Sequence, residues 1–275
     1  MPNRRRAMPP ILAGKRHDAP SVFTPENLLR EARRQRGLAA GTVPAICLLD
    51  PDGDVMRRLR ADGRAARDAA WACYHTELYR FVEEGVEFGV VAHAVGASFA
   101  VLVAEELFAC GCDLLISMTS AGQLVALRAP PYFILIDRAL RDEGTSYHYL
   151  APSEFSDADA RLVEILSPAF PSTGLPVTRG PTWTTDAPFR ETAEAVAAMK
   201  DKGLLAVEME AAALYAFAAA RGRPVICFAH VTNQMARVEG DFEKGEADGA
   251  VDALKVIRAA AGAWLRAPRP AVAGP

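Results

Sequence analysis

The apolar positions of this chain fall into short unbroken runs, separated by longer stretches of helical spacing. Residues 45–49 (Ala-Ile-Cys-Leu-Leu) form the first run and end at Asp50-Pro51-Asp52-Gly53, which predicts a buried strand and then a turn. Residues 86–93 form a second, β-rich run. Residues 96–110 carry apolar side chains at helical spacing, interrupted by Glu105 and Glu106, and predict a helix. Residues 113–119, 131–136 and 176–178 predict further strands. Residues 208–220 are rich in Ala, the best helix former, stop at Gly222, and give way to an apolar strand over 224–232. An amphipathic helix over 246–265 ends the pattern. Near the start, Thr24-Pro25-Glu26 predicts a helix running to about Gly37, with Thr as N-cap and Pro at the first helical position. Strands alternating with helices predict an α/β fold of three layers, α/β/α, around a central mixed, mostly parallel sheet. Ligands of such sheets sit beyond the carboxyl ends of the strands.

The pattern divides the chain into a basic, Pro/Arg-rich N-terminal arm with one helix (1–43), an α/β domain (44–266) and a Pro/Ala-rich tail (267–275). With 275 residues, 51% of them hydrophobic, the chain can bury a sizeable core. A formal net charge of -3 supplies no basic field, so nucleic acid is not an expected partner. The arm departs from that balance: Arg4, Arg5, Arg6, Lys15, Arg16, Arg30, Arg33, Arg34 and Arg36 face only Asp18, Glu26 and Glu31. A solvated arm is the plain reading, and an anion-binding or subunit-clasping arm the alternative. Cys47, Cys73, Cys110, Cys112 and Cys227 form no Cys-x-x-Cys pair and have no His cluster beside them, so no metal site is expected. Three of them lie in apolar runs, as reduced thiols of a cytoplasmic protein do. Residues 1–16 lack the apolar centre of a secretory signal. No run is long enough to cross a membrane, so no membrane partner is expected.

The chemistry concentrates at Val207-Glu208-Met209-Glu210, where a strand is expected to meet a helix. A carboxylate can accept hydrogen bonds from two vicinal sugar hydroxyls, and Met offers an adaptable apolar surface. Glutamates complementing a helix dipole are the competing reading.

The stretch Val207-Glu208-Met209-Glu210-Ala211-Ala212-Ala213-Leu214 resembles the ribose-binding signature of the nucleoside phosphorylase/nucleosidase superfamily, which includes purine nucleoside phosphorylase and uridine phosphorylase. Other segments resemble that family in the expected order. Residues 94–107 are similar to its glycine-bearing turn and helix, Thr119-Ser120-Ala121-Gly122 to its phosphate-side strand end, and 143–152 to a uridine phosphorylase-like segment. The resemblance covers about 44–265. It implies cleavage of a nucleoside N-glycosidic bond, a nucleoside or nucleobase as partner, no cofactor, phosphate as a co-substrate, and a homodimer or homohexamer with shared sites. Carried over by residue, it implies that Glu208, Met209, Glu210 and Thr119 hold ribose, with Glu210 accepting the 2' and 3' hydroxyl protons. Asn233 stands where purine enzymes carry Asp and uridine phosphorylases Asn, which implies a catalytic and base-reading role. The segment 180–191 would build the base pocket, with Trp183 stacking on the base and Arg190 reading a carbonyl oxygen. A core aromatic and a surface helix start are the alternatives for these two. Tyr74 and His75 would lie at the edge shared with a neighbouring subunit.

The family's phosphate-binding arginines have no counterparts here. The family's Gly-Asp-Pro-x-Arg turn reads Leu49-Asp50-Pro51-Asp52-Gly53, and the other two arginine positions fall near Tyr74 and at Ile116. Each lost charge-assisted contact costs about 1.5–3 kcal/mol. Arg57, Arg58, an arm arginine, His75 or Arg80 could compensate. Otherwise the acceptor is water, positioned by Asp50 or Asp52 with His93, or the protein binds a nucleoside without cleaving it. Ordinary turn chemistry is the competing reading for 50–53.

Overall fold

The computed structural model describes residues 8–235 and 239–268. Arg4, Arg5 and Arg6 of the arm, and the tail from residue 269 onward, lie outside them. In chain order the elements are α1 (Pro25–Arg36), β1 (Ile46–Asp50), α2 (Asp54–Ala61), β2 (Ala65–Arg67), β3 (Leu78–Glu83), β4 (Val86–Ala92), α3 (Ala97–Ala109), β5 (Leu114–Gln123), β6 (Tyr132–Asp142), β7 (Phe155–Asp157), α4 (Ala160–Leu166), β8 (Val177–Thr185), α5 (Ala193–Asp201), β9 (Ala206–Glu208), α6 (Ala211–Arg221), β10 (Val225–Asn233) and α7 (Ala250–Arg266).

The apolar runs form strands because both faces of the sheet are covered. In β1, Cys47 and Leu49 enter the core beneath α3 and α6, while Ile46 and Leu48 enter the core beneath α2 and α7. Strand alternation thus feeds two helical layers, which gives the expected three-layer α/β arrangement. The strand order is β10-β6-β8-β9-β5-β1-β4-β3-β2, with β10 also paired to β5. β1 runs parallel to β4 and β5, β10 parallel to β5, and β8 parallel to β6 and β9. Antiparallel pairs are β2–β3, β3–β4, β5–β9, β6–β7 and β6–β10. Because β10 bonds to both β5 and β6, five strands close into a ring, and β1, β4, β3 and β2 extend from it. Register shifts at Ile136/Ala139 and Val231/Asn233 supply local bends of the kind that closure requires.

Several boundaries differ from the sequence pattern. β5, β6 and β8 run on to Gln123, Asp142 and Thr185, because their Thr-, Ser- and Gly-bearing ends find ladder partners in β9 and β7 that periodicity does not reveal. α2 was not expected. It is short and Arg-rich, with Val55, Met56 and Leu59 turned inward. The helix predicted from 208 starts at Ala211, since Glu208 ends β9. The solvated-arm reading is corrected for α1: Thr24 caps it, Gly37 ends it in the left-handed conformation, and Leu29 and Ala32 are buried in the core. All five cysteines are buried and free. Among the described residues no helix is long and apolar enough to cross a membrane, and no group of His, Cys, Asp and Glu could hold a metal ion.

Candidate active site

Register brings the sequence clusters together at the end of β5. Gly122 pairs with Asn233 of β10 on one side and Val207 of β9 on the other. The glycine is required by this crowding: a Cβ at position 122 would lie 2.6 Å from Met235 Sδ and 3.3 Å from Val207 Cγ1. Asn233 accepts the Met235 N–H through Oδ1 at 2.9 Å and donates through Nδ2 to Thr232 Oγ1 at 3.1 Å. One amide hydrogen remains for a ligand.

The two glutamates divide the work. Glu208 is buried at the end of β9 and its carboxylate is saturated. Oε1 accepts the hydroxyls of Thr182, at 3.2 Å, and Thr184. Oε2 accepts the N–H groups of Glu210 and Ala211, both at 2.7 Å. Thr184 Oγ1 accepts the next N–H, that of Ala212, at 2.9 Å. Together they satisfy the otherwise unpaired first turn of α6. The expectation that Glu208 binds ribose is therefore corrected: it has no acceptor left to offer and acts as a positioning residue. Glu210, at the helix N-cap position, is 1% exposed. Its Oε1 accepts the N–H of Gly96 at 2.8 Å, while Oε2 is buried with no partner among the described residues. Burial pushes the Glu210 carboxyl above the usual carboxylate range; the Glu208 charge pushes it the same way, and contacts with Gly96 and Thr119 oppose them. Met209 beside it is half-exposed. Gly96 holds φ 89 and ψ 152, a region open essentially to glycine alone, and this conformation aims its N–H at Glu210.

Three aspartates follow β1. Asp50 is 2% exposed, and its Oδ2 accepts the N–H of Met56 at 2.8 Å. It caps α2, which corrects its expected role as a water-positioning carboxylate. Asp52 is the one turned toward β5, where its Oδ2 accepts the N–H of Ser120 at 2.8 Å. Asp54 binds Lys244 Nζ at 2.7 Å and also Arg57. His93 is exposed, and its ring lies against Gly53, where a Cβ would meet His93 Cε1 at 2.1 Å. Asp50, Asp52, Asp54, Thr119, Ser120 and His230 line one cleft. A larger cavity of about 500 Å³, bounded by Phe23, Leu102, Phe108 and Tyr149, shares none of these residues.

Burial pushes the Asp50 carboxyl up to about 7; the Met56 N–H opposes this, and the charges of Asp52 and Asp54 add to it. An unfolded Asp ionises near 4. Between those values the unfolded chain gives up a proton that the native state keeps, so stability is lost as pH rises from about 4 to about 7. Asp50→Asn retains an oxygen for Met56 and has no charge to bury. It is expected to stabilise the protein by up to about 4 kcal/mol at pH 8 and to have little effect at pH 4, read as thermal midpoints at the two pH values. A shift of equal size at both would refute this account.

His230, unmarked in the sequence, enters the cleft from β10. Burial pushes it down to about 4, and the Lys244 charge acts in the same direction. Its ring stacks on Phe133 at 4.6 Å. Thr182 and Thr184 were also missed, although their spacing of two along β8 places both on one face. Gly96, Ser120 and Lys244 gave no individual signal.

The expected base pocket is not assembled. Trp183 is 2% exposed among Leu124, Leu140, Val196 and Leu204, and its Nε1 donates to Asp142 at 3.0 Å. It is a core aromatic with no free face for a base, because β8 continues through it. Arg190 is exposed in a single helical turn after β8, as a surface residue. His75 is exposed and Tyr74 partly so. Arg36 stacks on the Tyr74 ring and donates to the carbonyls of Cys73 and Tyr74, which fixes that segment at the surface.

The phosphorylase superfamily model matches residues 45–262. Among solved structures, the chain is similar to uridine phosphorylase from Vibrio fischeri ES114, with TM-score 0.68 and 19% identity over 82% of this chain and 93% of that one. It is similar also to purine nucleoside phosphorylase from Toxoplasma gondii, with TM-score 0.68 and 17% identity over 82% and 92%. At these identities the likeness is one of fold. A curated relative, guanosine phosphorylase of Halorubrum lacusprofundi, is 27% identical over 139 residues, a match that spans 50% of this chain and 58% of that protein. With the family model running from the first residues of β1 into α7, this chain belongs to the phosphorylase superfamily.

Proposed function

We propose that the protein cleaves the N-glycosidic bond of a nucleoside, releasing a free base and ribose or phosphoribose. The observation that carries this is Glu210 Oε2, a buried carboxylate oxygen with no hydrogen-bond partner among the described residues, at the end of the parallel strands. A buried acceptor left unpaired is costly, and a pair of sugar hydroxyls would satisfy it. Met209 offers the adjoining apolar surface, and Asn233 an amide hydrogen for the base. In such a reaction the sugar develops cationic character as the base departs. Acidic groups beneath it then bind the transition state more tightly than the substrate.

Pentosyl transfer to phosphate is the activity named for the relatives, and hydrolysis is the second reading, favoured by the acidic turn after β1. The test is base release from uridine, guanosine, inosine, adenosine and 5'-methylthioadenosine, each with and without phosphate. A thermal shift with a nucleoside but no base released from any of them would make the protein a binder and refute cleavage. We place the protein in the cytoplasm, on the support of its buried free thiols. A homodimer or homohexamer with His75 and Tyr74 at the shared edge fits their exposure. Light scattering that finds a monomer would overturn that assembly.

A further inference from the structure

We propose that the cavity between α1, α3 and the end of α6 binds a planar aromatic acid: its carboxylate held by Arg221 and Arg223, its ring between the aromatic walls, and a ring N–H turned toward Glu106. The cavity holds about 500 Å³, the size of a small-molecule site. It lies at the far ends of the two helices whose first turns build the active site. From Ala97 to Glu105 along α3, and from Ala211 to Arg221 along α6, the chain rises roughly 12–15 Å at about 1.5 Å per residue. A ligand here and a nucleoside at Glu210 would therefore occupy separate places.

The aromatic walls hold the arginines. Arg221 lies over the Tyr149 ring at 5.7 Å and Arg223 over the Phe108 ring at 5.5 Å. Stacking of this kind engages the face of a guanidinium and leaves its N–H edge for an anion. Arg221 donates through Nε to Glu105 at 3.2 Å, and its two Nη groups have no acceptor among the described residues. The Arg223 side chain has no acceptor among them. Glu105 also accepts the Tyr149 hydroxyl at 3.0 Å, so its charge is already met. Glu26 is exposed on the first turn of α1, where solvent screens it. Positive charge is left at the Arg221–Arg223 end, and a carboxylate can accept from both.

Glu106 supplies the other half of the recognition. It lines the same cavity at 2% exposure, and neither of its carboxyl oxygens has a hydrogen-bond partner among the described residues. A buried acceptor without a donor is costly, and an N–H on the ligand would meet it. Burial pushes the Glu106 carboxyl above the usual carboxylate range, against the Cys73 thiol and the charges of His75 and Arg36, which reduces its repulsion of an anionic ligand. Phe23 and Leu102 border the cavity yet are 72% and 36% exposed. A flat ring would cover both.

The test titrates the full chain calorimetrically with indole-3-acetate, which carries carboxylate, ring and N–H. Beside it stand indole-3-acetamide, which lacks the charge, and 1-methylindole-3-acetate, which lacks the N–H. The expected result is one saturable site for indole-3-acetate and roughly 10- to 100-fold weaker binding of each analogue. Arg223→Gln should weaken indole-3-acetate by a similar roughly 10- to 100-fold. Leu102→Trp, which fills the cavity from a partly exposed position, should abolish binding, and both variants should keep the native thermal midpoint. If a variant does not fold, the three ligands on the native protein decide. No binding by the native protein, equal affinity for the three ligands, or unchanged affinity in a folded Arg223→Gln overturns the inference. Displacement by uridine would put the ligand in the active-site cleft and overturn it as well.

Discussion

Glu210→Gln is expected to reduce kcat/KM for base release by roughly 10²–10⁴-fold while leaving the fold intact. The side chain keeps its size and an oxygen for the Gly96 N–H. What it loses is the ionised acceptor for two sugar hydroxyls, each a charge-assisted bond worth about 1.5–3 kcal/mol, or about 3–6 kcal/mol together. The pH profile gives a second reading of the same group. Because burial and the Glu208 charge raise the Glu210 carboxyl, the ionised form accumulates only toward alkaline pH, so kcat/KM should climb with pH beyond the ordinary carboxylate range and the variant should lack that rise. A variant that retains native kcat/KM, or a native profile flat above pH 5, would remove Glu210 from the site.

Glu208 should behave in the opposite way. Glu208→Ala leaves the N–H groups of Glu210 and Ala211 buried without partners, together with the Thr182 hydroxyl. At about 1–3 kcal/mol for each stranded group, the two N–H groups alone cost roughly 2–6 kcal/mol, a large share of the 5–15 kcal/mol that usually holds a domain together. Glu208→Gln can keep its oxygen on the two N–H groups and donate its amide to the threonine hydroxyls. It should therefore fold, with kcat/KM within about tenfold of the native value. This split separates a positioning residue from a ligand: a Gln variant as inactive as Glu210→Gln, with native stability, would return Glu208 to the ribose.

Much of this was legible in the sequence because apolar runs report burial on both faces directly. β1 and β10 were readable for that reason, as was α1 from Thr24, Pro25 and Gly37. The ends of β5, β6 and β8 were not, since their polar residues are held by partners distant in the chain. The ribose signature marked Met209 and Glu210, but the two acids alternate across a strand end and turn, and the sequence does not record that Thr182 and Thr184 come from β8 to claim Glu208. Asp50 and Asp52 were equal candidates by spacing; what separates them is which N–H each reaches, Met56 for one and Ser120 for the other. Trp183 was misread because an aromatic next to polar residues looks the same whether the strand ends before it or, as here, passes through it.

The ring formed by β5, β9, β8, β6 and β10 has a mechanical consequence. β9 has only three residues, yet it carries Glu208 and delivers Glu210, and it is laced on both sides, to β5 and to β8. A strand so short at a sheet edge would fray. Inside a closed circuit it can leave only when two ladders fail together. Amide protons of 206–208 should therefore exchange with solvent as slowly as those at the centre of β10, through opening of the whole molecule. The substrate then meets a base plate that does not yield, and any adjustment to its size falls to the loops above.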